Sequence, residues 1–147
     1  MGMEFVRQLP KPDDFKKEYA LADSLKAVKE ARDKEISDVL TGKSDKFLVI
    51  IGPCSADRED ALLDYISRLA KVNEKVKDKL VIIPRIYTNK PRTTGEGYKG
   101  IASQPNPEKE PDLIKGLIAV RSMHMKALEI SGMTPADEML YPENYPY

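Results

Sequence analysis

The residues best suited to chemistry lie at two places where a short apolar run ends and a polar loop begins. Residues 50–55 read Ile-Ile-Gly-Pro-Cys-Ser and carry Cys54, the only cysteine in the 147 residues. Residues 85–94 carry Arg85, Lys90 and Arg92, followed by two threonines. Parallel α/β enzymes keep their active sites where the strands end. The two junctions together therefore predict a metal ion beside a loop that binds anions.

Each junction also has a simpler interpretation. A thiolate at a strand end can bind a metal or act as a nucleophile, but a lone cysteine is more often an inert buried side chain. The Lys-Pro-Arg-Thr segment at 90–93 combines a rigid turn with donors that suit phosphate, and its alternative is a solvated basic turn. An unpaired guanidinium at the strand end, Arg85, would be costly, which favours a binding site.

Two further titratable side chains lie near these junctions. Glu138 stands at the end of a third β-like run and can orient a lysine or a metal-bound water. His124 lies between Val120 and Leu128 on the apolar side of a helix. We therefore expect His124 to be a hydrogen-bonded core residue rather than a metal ligand.

Composition excludes several classes of protein. The 24 basic and 24 acidic residues cancel, so no long-range field attracts nucleic acid or anionic lipid. The longest apolar stretch is far shorter than the roughly 20 residues that span a bilayer. A single cysteine excludes an internal disulfide, and the first residues lack the apolar core of a signal peptide, so the cytoplasm is the expected compartment.

Hydrophobic spacing predicts three helices after an irregular, proline-containing start. They cover residues 22–40, residues 57–76 with Asp57 as the N-cap, and residues 112–131. Gly42 and Gly132 should end the first and the last of these.

Between the helices, three short apolar runs predict parallel strands at residues 47–51, 80–86 and 134–140. The first is consecutively apolar, as expected for a strand covered on both faces. Residues 87–111 then form a long polar loop of the kind that usually has a function. A β-α-β-α-β order needs further strands to close a barrel, which takes about 250 residues.

These motifs closely resemble the type I 3-deoxy-D-arabino-heptulosonate 7-phosphate (DAHP) synthases with an N-terminal regulatory extension. Residues 51–55 resemble the metal-cysteine motif and residues 90–94 the aldose-phosphate motif, while residues 98–100 and 136–140 continue the match in register. Residues 9–10 and the following helix resemble the extension. The related octulosonate 8-phosphate synthases have Lys-Ala-Asn-Arg-Ser in place of Lys-Pro-Arg-Thr, which favours erythrose 4-phosphate over arabinose 5-phosphate as the substrate.

The resemblance implies a (β/α)8 TIM barrel, with residues 1–45 as a helical extension for regulation or oligomerisation and residues 46–147 as the start of the catalytic domain. The implied reaction joins phosphoenolpyruvate to erythrose 4-phosphate with water and releases phosphate, the first step of the shikimate pathway. An aromatic amino acid as feedback inhibitor and a homo-oligomer are also implied.

The resemblance further implies a role for each motif residue. Arg85 would bind phosphoenolpyruvate, and Lys90 would lie at the reacting centre between the substrates. Arg92 and Thr93 would hold the sugar phosphate, and Lys99 would contribute to substrate binding.

For the metal, the resemblance implies Cys54 as the thiolate ligand of a divalent ion, with manganese or iron favoured and cobalt or zinc as alternatives. Glu138 would anchor Lys90 and help to place the attacking water. In the family, the other metal ligands and several phosphoenolpyruvate-binding residues lie on later strands. We therefore expect this chain to be inactive by itself, and the alternative is a non-catalytic module that associates with full-length synthase subunits.

Overall fold

The computed structural model describes residues 2, 7–90, 98, 100–138, 140 and 145–147. Within these residues the regular structure consists of two parallel strands and four helices. In chain order they are α1 (Pro12–Glu18), α2 (Asp23–Leu40), β1 (Phe47–Ile51), α3 (Glu59–Val76), β2 (Leu80–Pro84) and α4 (Leu113–Ser131). This is an α/β arrangement, as the sequence predicts.

The two strands pair in parallel along their whole length, from Phe47 opposite Leu80 to Ile51 opposite Pro84. The crossover helix α3 packs on β2 and on α4. A cluster of buried side chains fills the space between these elements and the loops beyond β2: Ala56, Leu62, Ile66, Ile86, Ile101, Met123 and Ala127. The core therefore lies directly beneath the carboxyl ends of the strands.

Both predicted glycine stops are found. Gly42 follows α2 with φ of +71°, and Gly132 ends α4 with φ of +64°, a left-handed conformation that glycine adopts without steric cost. Asp112 caps α4 by accepting a 3.1 Å hydrogen bond from the Lys115 amide. The helices predicted at 22–40 and 112–131 are thus confirmed within one residue at each end.

Two predictions at helix starts are wrong. The N-cap of α3 is Arg58 rather than Asp57, whose carboxylate instead accepts a 2.9 Å hydrogen bond from the Ser55 hydroxyl. The start of the chain is not wholly irregular, because Pro12 begins α1 at a position where its missing N–H costs nothing. The ring of Phe15 on α1 is buried against the rings of Tyr19 and Tyr147, at centroid distances of 4.9 and 5.4 Å.

The expectation that residues 47–51 are covered on both faces is also wrong. Phe47 is 70% exposed and Ile50 55% exposed, whereas Val81 and Ile82 of β2 are buried. In the described part of the chain β1 pairs on one side only, with β2. Its run of apolar residues therefore leaves both a free edge and apolar surface in contact with solvent.

The third predicted strand is reduced to one parallel bridge between Arg85 and Ala136. The Ala136 amide donates to the Pro84 carbonyl at 2.8 Å, and the Ile86 amide donates to the Ala136 carbonyl at 2.7 Å.

Beyond Ala136 a side chain replaces the backbone partner. The Asp137 carboxylate accepts the amide N–H of Thr88 at 3.1 Å and that of Glu138 at 2.7 Å. These are the backbone groups that would otherwise continue the ladder. The prediction of a strand over residues 134–140 is therefore wrong for the described residues around the bridge, although its position beside β2 is right.

None of the described helices combines the length and the apolar character needed to cross a membrane.

We predict that the exposed strand makes the chain self-associate, because an unpaired apolar edge is a template for another strand. Light scattering should detect oligomers, and a hydrophobic dye should bind. The variant Ile50→Lys should reduce both signals, since an edge lysine opposes strand addition. A monodisperse wild-type monomer that binds no dye would contradict this prediction.

Candidate active site

The carboxyl ends of β1 and β2 lie side by side because the strands are parallel and in register. The Arg85 amide donates to the Ile51 carbonyl at 2.8 Å, directly beyond the last strand pair. A Cβ atom at Gly52 would lie only 1.9 Å from the Arg85 carbonyl oxygen, so glycine alone permits this approach. One step further, the Ala56 amide donates to the Tyr87 carbonyl at 2.8 Å. These contacts hold the loop after β1 against the segment after β2.

The two junctions predicted from the sequence meet through Cys54 and Lys90. The Lys90 ammonium contacts the Cys54 sulfur directly, and the thiol is exposed. An Arg85 terminal nitrogen lies 3.4 Å from the Cys54 carbonyl oxygen. Neighbouring cations stabilise a thiolate, so this corner of the molecule suits a charged sulfur and an anionic ligand.

Arg85 is held between a carboxylate and an aromatic ring. Its Nε lies 3.1 Å from Glu138 Oε1, and its guanidinium carbon is 4.9 Å from the centroid of the Tyr87 ring. The Nε–H is buried, and its direction gives no hydrogen bond among the described residues, so the contact with Glu138 is electrostatic. The guanidinium thus has a fixed plane and keeps donor capacity for a ligand.

Tyr87 completes this group. Burial raises the pKa of the Tyr87 hydroxyl, and the charge of Glu138 and a hydrogen bond to it raise the pKa further. The hydroxyl is therefore a proton donor to Glu138 across the neutral range. Sequence reasoning missed Tyr87, although alternate residues of an extended segment share a face and Tyr87 lies on the same face as Arg85 by that rule.

Behind these residues lies a buried carboxylate that sequence reasoning also missed. The two oxygens of Asp137 accept hydrogen bonds from the amide and the hydroxyl of Thr88, and His124 Nε2 approaches to 3.3 Å. Burial by itself raises the pKa of Asp137, but the hydrogen bonds from His124 and Thr88 outweigh it, so the pKa lies below its ordinary value. The prediction that His124 is hydrogen-bonded is confirmed, with Asp137 as the partner, but the prediction that it lies in the core is wrong, because its side chain is 26% exposed.

The structure brings four of the predicted site residues to one edge of the sheet: Cys54, Arg85, Lys90 and Glu138. The other three, Arg92, Thr93 and Lys99, lie outside the described residues. Glu138 was expected to anchor Lys90, whereas its contacts in the described structure are with Arg85 and Tyr87.

A metal site is not complete in the described residues, since no group of three or more His, Cys, Asp or Glu side chains is close enough there to hold an ion. Cys54 supplies a single donor, whereas a fixed divalent ion needs several protein ligands. The described residues therefore do not by themselves hold a metal ion.

Comparison with known proteins gives consistent matches. The DAHP synthetase I family model matches residues 21–145. The phenylalanine-inhibited phospho-2-dehydro-3-deoxyheptonate aldolase of Saccharomyces cerevisiae is 39% identical over 122 residues, covering 82% of this chain and 32% of the yeast protein. The Phe-sensitive enzyme of Escherichia coli is 35% identical over 137 residues, covering 93% of this chain and 38% of the relative.

A solved structure of the phospho-2-dehydro-3-deoxyheptonate aldolase from Francisella tularensis superposes with a TM-score of 0.83 at 27% identity. The match covers 99% of this chain and 42% of that one. The chain thus has the fold of the corresponding part of a longer protein, and it spans about a third of the length of these curated relatives.

The lowered pKa of Asp137 predicts how stability depends on pH. The folded state binds this proton less readily than the unfolded state, so the contribution is fully present above the ordinary Asp pKa of about 4 and is lost as the pH falls through the lower folded pKa. Asp137→Asn should therefore show a shallower loss of stability below about pH 4 than the wild type, measured by denaturant midpoints.

Asp45→Asn, which removes an exposed carboxylate, serves as the matched control and should keep the wild-type pH profile. At pH 7, Asp137→Ala should cost about 1.5–3 kcal/mol for a lost hydrogen bond to a charged group. Identical acid profiles for Asp137→Asn and the wild type would contradict the assignment.

Proposed function

The chain belongs to the DAHP synthetase I family, and from that premise we propose that it forms part of a site that condenses phosphoenolpyruvate with erythrose 4-phosphate and water to give DAHP and phosphate. The observation that carries this proposal is the convergence of Arg85, Lys90 and Cys54 at the ends of β1 and β2. Two cations at one sheet edge, in a chain whose net charge is zero, form a local anion site. Activity is proposed for the assembled site and not for these residues alone.

Arg85 is the proposed ligand of phosphoenolpyruvate. Its guanidinium is stacked on Tyr87 and paired electrostatically with Glu138, so little side-chain entropy is lost when an anion binds. A planar fork of donors suits a carboxylate or phosphate with two acceptor oxygens. Glu138 also partly neutralises the positive charge of Arg85. A bound anion is therefore held less tightly and can be released.

Lys90 is the proposed residue at the reacting centre. Its ammonium lies against Cys54, between the loop after β1 and the segment that leads to the Lys-Pro-Arg-Thr motif. A fixed cation at this position would stabilise negative charge that develops on an oxygen of either substrate during condensation. Glu138 would keep Arg85 oriented and take part in placing the attacking water.

The residues that bind the sugar phosphate are proposed from the sequence alone. Arg92 and Thr93 are the proposed ligands of the phosphate of erythrose 4-phosphate, with Lys99 as a further substrate-binding residue. Cys54 is the proposed thiolate ligand of a divalent ion, manganese or iron, on the strength of its motif.

We propose a TIM barrel as the complete architecture, with residues 1–45 as a regulatory extension and residues 46–147 as the first part of the barrel. The support is the order of β1, β2 and the Ala136 bridge, which lie side by side in parallel with helices between them. A homo-oligomer in the cytoplasm completes this proposal.

Feedback by an aromatic amino acid is proposed as well, because relatives are named phenylalanine-inhibited and tyrosine-inhibited. A cavity of about 430 Å³ beside α4 is large enough for such a ligand. The second candidate function is a non-catalytic module that associates with full-length synthase subunits, and the exposed apolar strand favours it.

We predict that the chain itself binds phosphoenolpyruvate, detectable by ligand-observed NMR, and that Arg85→Ala and Lys90→Ala weaken this binding about tenfold or more through loss of charged hydrogen bonds. Arg68→Ala is the matched control, because Arg68 is exposed and pairs only electrostatically within α3, 3.0 Å from Asp64. Absence of binding by the wild type, or equal loss in the control, would count against the proposal.

A second prediction separates the two substrates in a chimaera that joins this chain to the remaining part of the E. coli relative. Arg92→Ala should raise the KM for erythrose 4-phosphate about 10- to 150-fold, the equivalent of a lost charged hydrogen bond of about 1.5–3 kcal/mol, with little effect on the KM for phosphoenolpyruvate. Arg85→Ala should do the reverse. Equal effects of both variants on both substrates would refute the separate roles.

A further inference from the structure

Asp137 is placed where two chain segments stop pairing through their backbones. Its side chain is 8% exposed, yet it carries a charge. The carboxylate accepts the amide and hydroxyl hydrogens of Thr88 and the amide hydrogen of Glu138. A buried carboxylate is tolerated only when its oxygens are satisfied in this way.

The two segments that Asp137 joins carry the proposed site residues. Thr88 lies two residues before Lys90 and one after Tyr87, and Glu138 directly follows Asp137. Between these segments the described backbone has a single bridge, from Arg85 to Ala136. Beyond that bridge, the hydrogen bonds of Thr88 to Asp137 and the contact of Tyr87 with Glu138 set the position of the Lys90 segment relative to Glu138.

His124 approaches the same carboxylate oxygen of Asp137 as the Thr88 hydroxyl does. It projects from α4, and its Nε2 lies 3.3 Å from Asp137 Oδ2. The helix is itself anchored at its first turn, since a Cβ at Gly116 would lie 1.7 Å from the Ala102 carbonyl oxygen, so the helix and the loop after β2 are in direct backbone contact. The position of the Asp137 carboxylate is thus fixed relative to helix α4.

We propose that Asp137, oriented by His124, is a positioning residue that holds Lys90 against Cys54 and aligns this segment with Glu138. The catalytic meaning of the alignment rests on the proposed function, but the alignment itself does not. A carboxylate is suited to the task because its two oxygens accept three donors from both segments at once, which a backbone carbonyl at the same place cannot do.

The test uses Cys54 as a reporter, because it is the only thiol in the chain and is exposed. Its alkylation rate is measured at one pH with iodoacetate, which is anionic, and with iodoacetamide, which is neutral. The rate with iodoacetate divided by the rate with iodoacetamide does not depend on the fraction of Cys54 that is thiolate. This ratio therefore reports the positive field of Lys90 at the sulfur. We expect a ratio about fivefold higher in the native chain than in the chain unfolded in denaturant, the effect of one unit charge at about 4 Å in water.

The variant Lys90→Gln calibrates the measurement, because it removes the charge and should abolish most of the increase in the rate ratio. Asp137→Ala and Thr88→Val should each lower the ratio at least twofold, and Asp137→Asn should keep part of it, because its amide oxygen can still accept a hydrogen bond from Thr88. Ile66→Val, a core substitution that leaves every polar contact of the network in place, is the control for general loosening and should leave the ratio unchanged. Circular dichroism confirms that each variant is folded under the conditions used.

A wild-type ratio in both Asp137→Ala and Thr88→Val would overturn the proposal, as would an equal decrease in Ile66→Val. The measurement involves no substrate. A chain that shows the expected ratios but binds no phosphoenolpyruvate would support the positioning role and refute the proposed function.

Discussion

The close approach of the Gly52 backbone to the Arg85 carbonyl is the contact on which the rest of the site depends. It brings the loop after β1 within reach of the segment after β2, with no space for a side chain between them. Parallel pairing alone would bring the two strand ends together, but a Cβ at position 52 would push the loops apart. The meeting of Cys54 with Lys90, and of Ala56 with Tyr87, follows from this one glycine.

The electrostatics of the site follow from the same geometry. Arg85 and Lys90 are held close together although like charges repel, and Glu138 and the Cys54 sulfur offset that repulsion from two sides. The cations are therefore positioned before any ligand binds, which lowers the cost of binding an anion. A chain with no net charge can in this way present a locally positive site without a basic surface.

Much of this arrangement was predictable from the sequence. Glycine stops, helical spacing and short apolar runs are local signals, and they placed α2, α4 and β1 correctly. The second strand was predicted two residues too long, since β2 ends at Pro84 rather than at Ile86. The motif residues Cys54, Arg85, Lys90 and Glu138 were found because strand ends in parallel α/β proteins converge. The exposure of β1 was not predictable. An apolar run indicates that a strand can be buried, but it does not indicate whether a neighbouring element covers the strand.

The hydrogen-bond and ion-pair partners of Asp137 and Glu138 were not predicted, for a related reason. Nothing local indicates that Asp137 will accept hydrogen bonds from Thr88, 49 residues away, or that Glu138 will face Arg85 and Tyr87. A side chain that replaces a strand ladder looks, in the sequence, like one more residue of the strand. This explains why the third strand was predicted too long, and why the residues just beyond Ala136 are the ones available to a site. Where a ladder continues, backbone geometry fixes every residue alike. Where a carboxylate takes over, the neighbouring side chains can be oriented individually, which a binding site requires.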